Sequence, residues 1–261
     1  MHRNNISPRA GKIRFSGKQR GGKFYTTMTH YKTDRLDLRL MDCMDLMRGY
    51  PDKHFELCIT DPPYGLGDKL VAGGTWSVKY QDKGAKWDVA PEKAFFDEMM
   101  RVSKNWIVWG GNYFTQHLPP ARHFIPWQKP NMAGMHTMSD VELALTSFDR
   151  NSKVFSLTSQ TESGTERFHV CQKPIALYRW LLANYAKAGD KILDTHLGSM
   201  SHAIAAHYAG LHLTGCELDP DYFAAGIERV KRETAQMDMF TDAKKIALPE
   251  QLLLDNPQRR G

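Results

Sequence analysis

The first 33 residues contain no acidic side chain. They hold Arg3, Arg9, Lys12, Arg14, Lys18, Arg20, Lys23 and Lys32, with glycines at 11, 17, 21 and 22 and little apolar periodicity. A stretch with so little to bury reads as a flexible arm, and one charged in a single sign suits a phosphate backbone. Cysteine is also scarce: Cys43, Cys58, Cys171 and Cys216 lie far apart with no paired spacing. That excludes a disulfide framework and a thiolate metal knot, and leaves small buried hydrophobes in a reducing compartment. His202, His207 and His212 fall on different faces of a helix and a strand, so no metal set is expected. No apolar run approaches the roughly 20 residues of a membrane span, and the basic start has no apolar signal-peptide core. The expectation is a cytoplasmic protein with no membrane contact.

The 261 residues are 41% hydrophobic and 25% charged, enough for one α/β core with a few additional elements. The formal net charge of +6 and pI near 9.0 favour a polyanionic partner. The chain is organised around Phe55-Glu56-Leu57-Cys58-Ile59-Thr60-Asp61-Pro62-Pro63-Tyr64. Its first part reads as a short buried strand, and the two prolines end it, since they fix φ and supply no ladder donor. The Asp61 carboxylate, the neighbouring carbonyls and the Tyr64 ring therefore leave the sheet in one arrangement. A carboxylate and a carbonyl can together accept from an exocyclic amine and aim its lone pair, while an aromatic ring stacks on the base that bears it.

Before this strand, Leu36, Leu38 and Leu40 alternate with polar residues and run into Asp42-Cys43. After it, residues 65–90 are rich in glycine, lysine and aromatics, which suits a loop touching phosphates and unstacked bases. A helix with Phe95, Phe96, Met99 and Val102 on one face leads to a strand around Trp106-Ile107-Val108-Trp109. Two further strands are expected at Phe124 to Lys129 and Val141 to Phe148. Residues 149–168 are polar, with Arg150, Lys153 and Arg167 among many Ser and Thr, a second loop suited to phosphates. A helix follows Pro174 with Leu177, Tyr178, Leu181, Leu182 and Tyr185 at helical spacing.

Lys191-Ile192-Leu193-Asp194 then leads through Thr195-His196-Leu197-Gly198-Ser199 into a helix, the strand, glycine turn and helix that let backbone approach a cofactor. The next strand ends in Glu217, where such folds bind a ribose diol. Residues 236–261 form a mixed-charge tail that docks either on its own domain or on a second subunit of a homodimer.

Asp61-Pro62-Pro63-Tyr64 resembles the catalytic motif of the DNA amino-methyltransferases, which methylate adenine N6 or cytosine N4 with S-adenosylmethionine. The resemblance extends from about Leu36 to Val230, and its order, catalytic motif first and cofactor turn last, is that of the circularly permuted β class. It implies a doubly wound, mostly parallel, Rossmann-like α/β sheet, with residues 34–235 as the catalytic domain. It implies that Asp61, Pro62, Pro63 and Tyr64 are catalytic, acting on a base flipped out of double-stranded DNA. Asp42 and Cys43 match the position that meets the cofactor's adenine, although Asp42 could equally cap the short helix after it. Lys173 and Pro174 match a segment beside the methionine end of the cofactor. Asp61, Asp194, His196, Gly198, Ser199 and Glu217 complete the implied cofactor set. Two positions depart from the usual motif: His196 stands where phenylalanine is common, and Met200 replaces a glycine. Family members with Asp at position 61 mostly modify adenine, so adenine N6 is the expected target, with cytosine N4, or a DNA-binding module with weakened catalysis, as the alternative.

Overall fold

The structure, a computed structural model, describes residues 12–20, 23–67, 88–130, 139–157 and 172–237. Most of the 65–90 loop, the greater part of 149–168, His169, Cys171 and nearly all of the tail at 236–261 lie outside the described residues.

Among the described residues ten strands form one sheet: β1 (Lys12–Arg20), β2 (Lys23–Lys32), β3 (Leu36–Leu40), β4 (Phe55–Thr60), β5 (Ser103–Trp109), β6 (Phe124–Gln128), β7 (Val141–Thr146), β8 (Phe155–Ser156), β9 (Lys191–Asp194) and β10 (His212–Glu217). Their spatial order is β1-β2-β3-β10-β9-β4-β5-β7-β6-β8. The centre, β3-β10-β9-β4-β5, is parallel, and antiparallel pairs extend it on both sides. Among the described residues five α-helices join these strands: α1 (Cys43–Arg48), α2 (Lys93–Val102), α3 (Ile175–Tyr185), α4 (Ser201–Ala209) and α5 (Pro220–Met237).

The central strands are apolar on both faces because both faces are covered. Leu57 and Ile59 of β4, Ile107 and Trp109 of β5 and Ile192 of β9 pack in one core with residues of α3, α4 and α5. Cys58, Trp106, Val108 and Leu193 point the other way, into a second core with Leu46 and Met47 of α1 and Phe95, Phe96 and Met99 of α2. The expected doubly wound, mostly parallel α/β sheet is thus observed.

The pairing that positions the site is β4 with β9, where Leu57 lies opposite Ile192 and Cys58 opposite Leu193. These strands are far apart in sequence. From β4 the chain moves to β5 on one side, and from β9 to β10 on the other. A crevice opens at the carboxyl ends of strands where the winding direction divides in this way.

The reading of residues 1–33 as a flexible arm is corrected at its described residues. β1 and β2 form an antiparallel hairpin, and β2 pairs with β3 through His30, Tyr31 and Lys32 opposite Arg39, Leu38 and Asp37. The free edge of β3 offers unpaired backbone groups, and β2 satisfies them. The contact is reinforced at Asp37, whose carboxylate accepts from His30 (2.9 Å), Lys32 (3.1 Å) and Arg39 (2.8 Å). Burial raises the Asp37 carboxyl, but these donors and the Arg39 charge override it and hold it well below the usual carboxylate range.

Candidate active site

At the carboxyl end of β4 the chain leaves the sheet through the Pro62-Pro63 elbow. Asp61 is part-buried, and both of its oxygens are engaged. The Tyr64 hydroxyl donates to Oδ1 at 2.7 Å, and Lys173 Nζ, from the segment leading into α3, donates to Oδ2 at 2.5 Å. Burial pushes the Asp61 carboxyl up; the Lys173 charge opposes this and Glu142 adds to it, leaving a net rise. The Tyr64 ring stacks on Tyr113 at 5.1 Å between centroids. Gly110 lets this ring in: its φ is +63°, and a Cβ there would lie 2.2 Å from the Tyr64 ring.

Lys173 is buried and also meets Glu142 Oε2 of β7 at 3.1 Å, while Lys129 beside β6 pairs with the other oxygen of Glu142. Neither Glu142 nor Lys129 is among the positions that sequence reasoning singled out for the site. The available signal was a glutamate inside the apolar run of β7, which a neighbouring lysine had to neutralise. Asp88 was likewise unassigned. Its carboxylate accepts from Gly65 N (3.0 Å) and Gly67 N (2.7 Å) and so pins together the two ends of the loop between them.

At the end of β9, the turn into α4 is held from both sides. Gly198 N donates to Glu217 Oε2 at 2.8 Å and Asp219 N to Oε1 at 2.9 Å. Burial raises the Glu217 carboxyl against these two amides, leaving a half-buried acid whose ionised form further hydroxyl donors would stabilise. Met200 adopts φ 59°, the left-handed conformation a glycine would supply, so the turn survives the substitution. Its side chain is fully buried against Gly226, where a Cβ would come within 2.8 Å of Met200 Cγ. His196 packs edge-on against Phe95 at 5.3 Å, and its Nδ1 lies 2.9 Å from Thr195 Oγ1 and 3.2 Å from Thr60 Oγ1.

A cavity of about 550 Å³ brings these parts together. Its lining includes Asp42, Cys43, Asp61, Pro62, Pro63, Tyr64, Lys173, His196, Gly198, Ser199 and Glu217. Pro174 and Asp194 are not in the lining. Pro174 caps α3, and the Asp194 carboxylate is buried against His196 N (3.0 Å) and His202 Nδ1 (2.9 Å), supporting the turn from behind. Asp42 caps α1 through Oδ1, accepting from Met44 N (2.8 Å) and Asp45 N (3.3 Å), while also bordering the cavity. The helix-capping reading of Asp42 therefore holds alongside its place at the cavity. Among the described residues there is no cluster of ligands for a metal ion.

Residues 108–228 match the family model of the DNA methylases. The chain is 22% identical to the type II methyltransferase M2.DpnII of Streptococcus pneumoniae, over 81% of this chain and 96% of that protein. In fold it is similar to the PvuII DNA methyltransferase, described as cytosine-N4-specific, with TM-score 0.54, 13% identity, and coverage of 78% of this chain and 93% of the other. It is also similar to the M1.HpyAVI–SAM complex, with TM-score 0.51, 18% identity, and coverage of 75% and 98%. The matched segment runs from β5 through β9 and β10 into α5, and the sheet shares its fold with these DNA methyltransferases.

Proposed function

We propose that this chain transfers a methyl group from S-adenosylmethionine to the exocyclic N6 amine of an adenine flipped out of double-stranded DNA. The observation that carries the reading is the shared cavity: the Asp61 elbow and the Gly198 and Glu217 turn, distant in sequence, line one space. Its volume is in the range of small-molecule and cofactor sites. The cofactor fits the residues present. Glu217 is a half-buried carboxylate suited to the two hydroxyls of a ribose, and Asp42, Asp61 and Asp219 give the lining an acidic character that suits a cationic ligand. Asp42, Cys43, His196, Gly198, Ser199 and Glu217 would hold the cofactor, with Lys173 beside its methionine end.

When bound, the cofactor supplies a methyl group on a sulfonium, which departs as a neutral thioether. Asp61 and the Pro62 carbonyl accept from the target amine and orient its lone pair; Tyr64 stacks on the base. The amine takes the place of the Tyr64 hydroxyl at Asp61 Oδ1, so Tyr64 gives up one hydrogen bond as the base arrives. As the new N–C bond forms, the amine loses a proton, and the nearby Asp61 carboxylate can receive it and return it to solvent. Its rise through burial makes it a better acceptor than an exposed aspartate.

Adenine is preferred because position 61 is an aspartate, and members of the resembled family with aspartate there mostly modify adenine. Cytosine N4 is the second reading, favoured by the fold likeness to a cytosine-N4-specific enzyme. Mass spectrometry of nucleosides from DNA of cells expressing the protein tests both. N6-methyladenine is expected. N4-methylcytosine alone would overturn the base assignment and leave the reaction class standing, whereas neither product would overturn the enzyme reading.

A further inference from the structure

Leading back from the cavity wall, four buried or part-buried charges of alternating sign are linked in succession: Asp61, Lys173, Glu142 and Lys129. Lys173 sits between the two carboxylates, 2.5 Å from Asp61 Oδ2 and 3.1 Å from Glu142 Oε2. Its Nζ also lies 5.3 Å from the centre of the Trp109 ring, which closes one side. Strand register fixes the far end. Glu142 stands opposite Trp127 across β6 and β7, and Lys129, whose amide bonds Asp140 O at 2.8 Å, lies over the Trp127 ring at 4.8 Å.

A single Asp61–Lys173 pair would already be neutral. Adding Glu142 and Lys129 removes two more charges from water, and apolar side chains in their place would serve stability at least as well. The second pair is explained if it acts on the first. We propose that Glu142 is a positioning residue for the methyl transfer: by sharing the Lys173 ammonium with Asp61, it sets how firmly Asp61 is held and so how readily Asp61 takes the target amine. Glu142 does not line the cavity and works only through Lys173. This deepens the proposed function and rests on the reading of Asp61 as the acceptor of the amine.

The groups facing Asp61 are Tyr64 from its own elbow, Lys173 before α3, Tyr178 on α3 and Glu142 on β7. Burial raises the Glu142 carboxyl, but Lys173 and Lys129 override this and keep it ionised, so it competes steadily for the Lys173 ammonium. Removing the negative charge at 142 leaves Lys173 to Asp61 alone and lowers the pH at which Asp61 titrates. Removing the positive charge at 129 frees Glu142 to draw Lys173 away and raises that pH.

The test uses the full chain with two near-isosteric variants, Glu142→Gln and Lys129→Met. Single-turnover methylation of unmethylated genomic DNA is followed against pH, and the Asp61 carboxyl is titrated by carbon-13 NMR without DNA. Glu142→Gln should lower the single-turnover rate by roughly 10- to 100-fold, the range for removing an outer partner of a reactive site, with unchanged cofactor affinity. Its Asp61 titration and acid limb should move to lower pH, and those of Lys129→Met to higher pH. Loss of rate in both variants without opposed movement would overturn the inference and leave a structural clasp between strands. If the wild-type protein transferred no methyl, the proposed function would fail; if it did and Asp61 titrated alike in all three proteins, only the role of Glu142 would fail.

Discussion

His196 occupies a position where the resembled family commonly has phenylalanine, and its surroundings treat it as an uncharged ring. Burial, only partly opposed by Asp194 and Asp42, lowers its pKa to about 4. In the unfolded chain the same ring takes a proton near 6.5, so the unfolded state binds more protons between these values. Stability from this group is therefore full above pH 6.5 and is lost as the pH falls toward 4, a change of about 3 kcal/mol. His196→Phe should remove that part of the pH dependence. Urea midpoints of the two proteins compared from pH 7 to pH 4 should diverge on acidification as the wild type weakens, and parallel curves would refute the account. Glu217 gives a prediction about the cofactor. Its carboxylate holds the turn through Gly198 and Asp219. Glu217→Ala should weaken S-adenosylmethionine binding by about 1 to 3 kcal/mol, the cost of leaving buried polar groups unpaired. Calorimetry on the folded variant would show it, and unchanged affinity would remove Glu217 from the site.

Among the elements, the turn from β9 into α4 places a non-glycine residue in a strained conformation. Met200 holds a left-handed conformation that costs a non-glycine residue roughly 1 to 2 kcal/mol. It is kept because the side chain fills the space against Gly226, and burying a methionine is worth roughly 2 to 5 kcal/mol on truncation. Met200→Gly should therefore relieve the backbone yet still destabilise the protein by roughly 1 to 3 kcal/mol. A gain in denaturation midpoint would show that strain outweighs packing. Strands and helices were most legible in the sequence where one period dominated. The alternation of Leu36, Leu38 and Leu40 and the apolar face of α2 both hold in the structure. The two-residue β8 was not anticipated, since it is defined only by pairing Phe155 and Ser156 with Trp127 and Gln128.

For the whole molecule, the N-terminal hairpin changes how its basic residues are presented. Its charges are carried by strands at one end of the sheet, and Arg14 is exposed. Neutralising Arg14, Lys18, Arg20 and Lys23 together should weaken binding to all DNA sequences and flatten its salt dependence, by roughly one unit of logarithmic slope for each phosphate no longer neutralised. Binding isotherms at several salt concentrations test this, and an unchanged slope would take the hairpin out of the DNA interface.

The sequence alone determined the elbow after β4, because two prolines and an aspartate leave little conformational choice whatever surrounds them. It also determined the glycine turn before α4, the alternation of strands and helices, and the two carboxylates, Asp61 and Glu217, that end their strands. These are local matters of φ restriction, periodicity and chain order. The tertiary structure alone decided that β9 lies beside β4, which turns two separate motifs into one cavity. It decided that Asp194 supports the turn from behind while Asp219 and Tyr178 line the space. It also placed Glu142 behind Lys173, since strand register brings these residues together and nothing in their own neighbourhoods encodes the meeting. Ion pairs between sequence-distant residues depend on how strands are ordered in the sheet, and that order is set by burying both faces of the whole sheet at once.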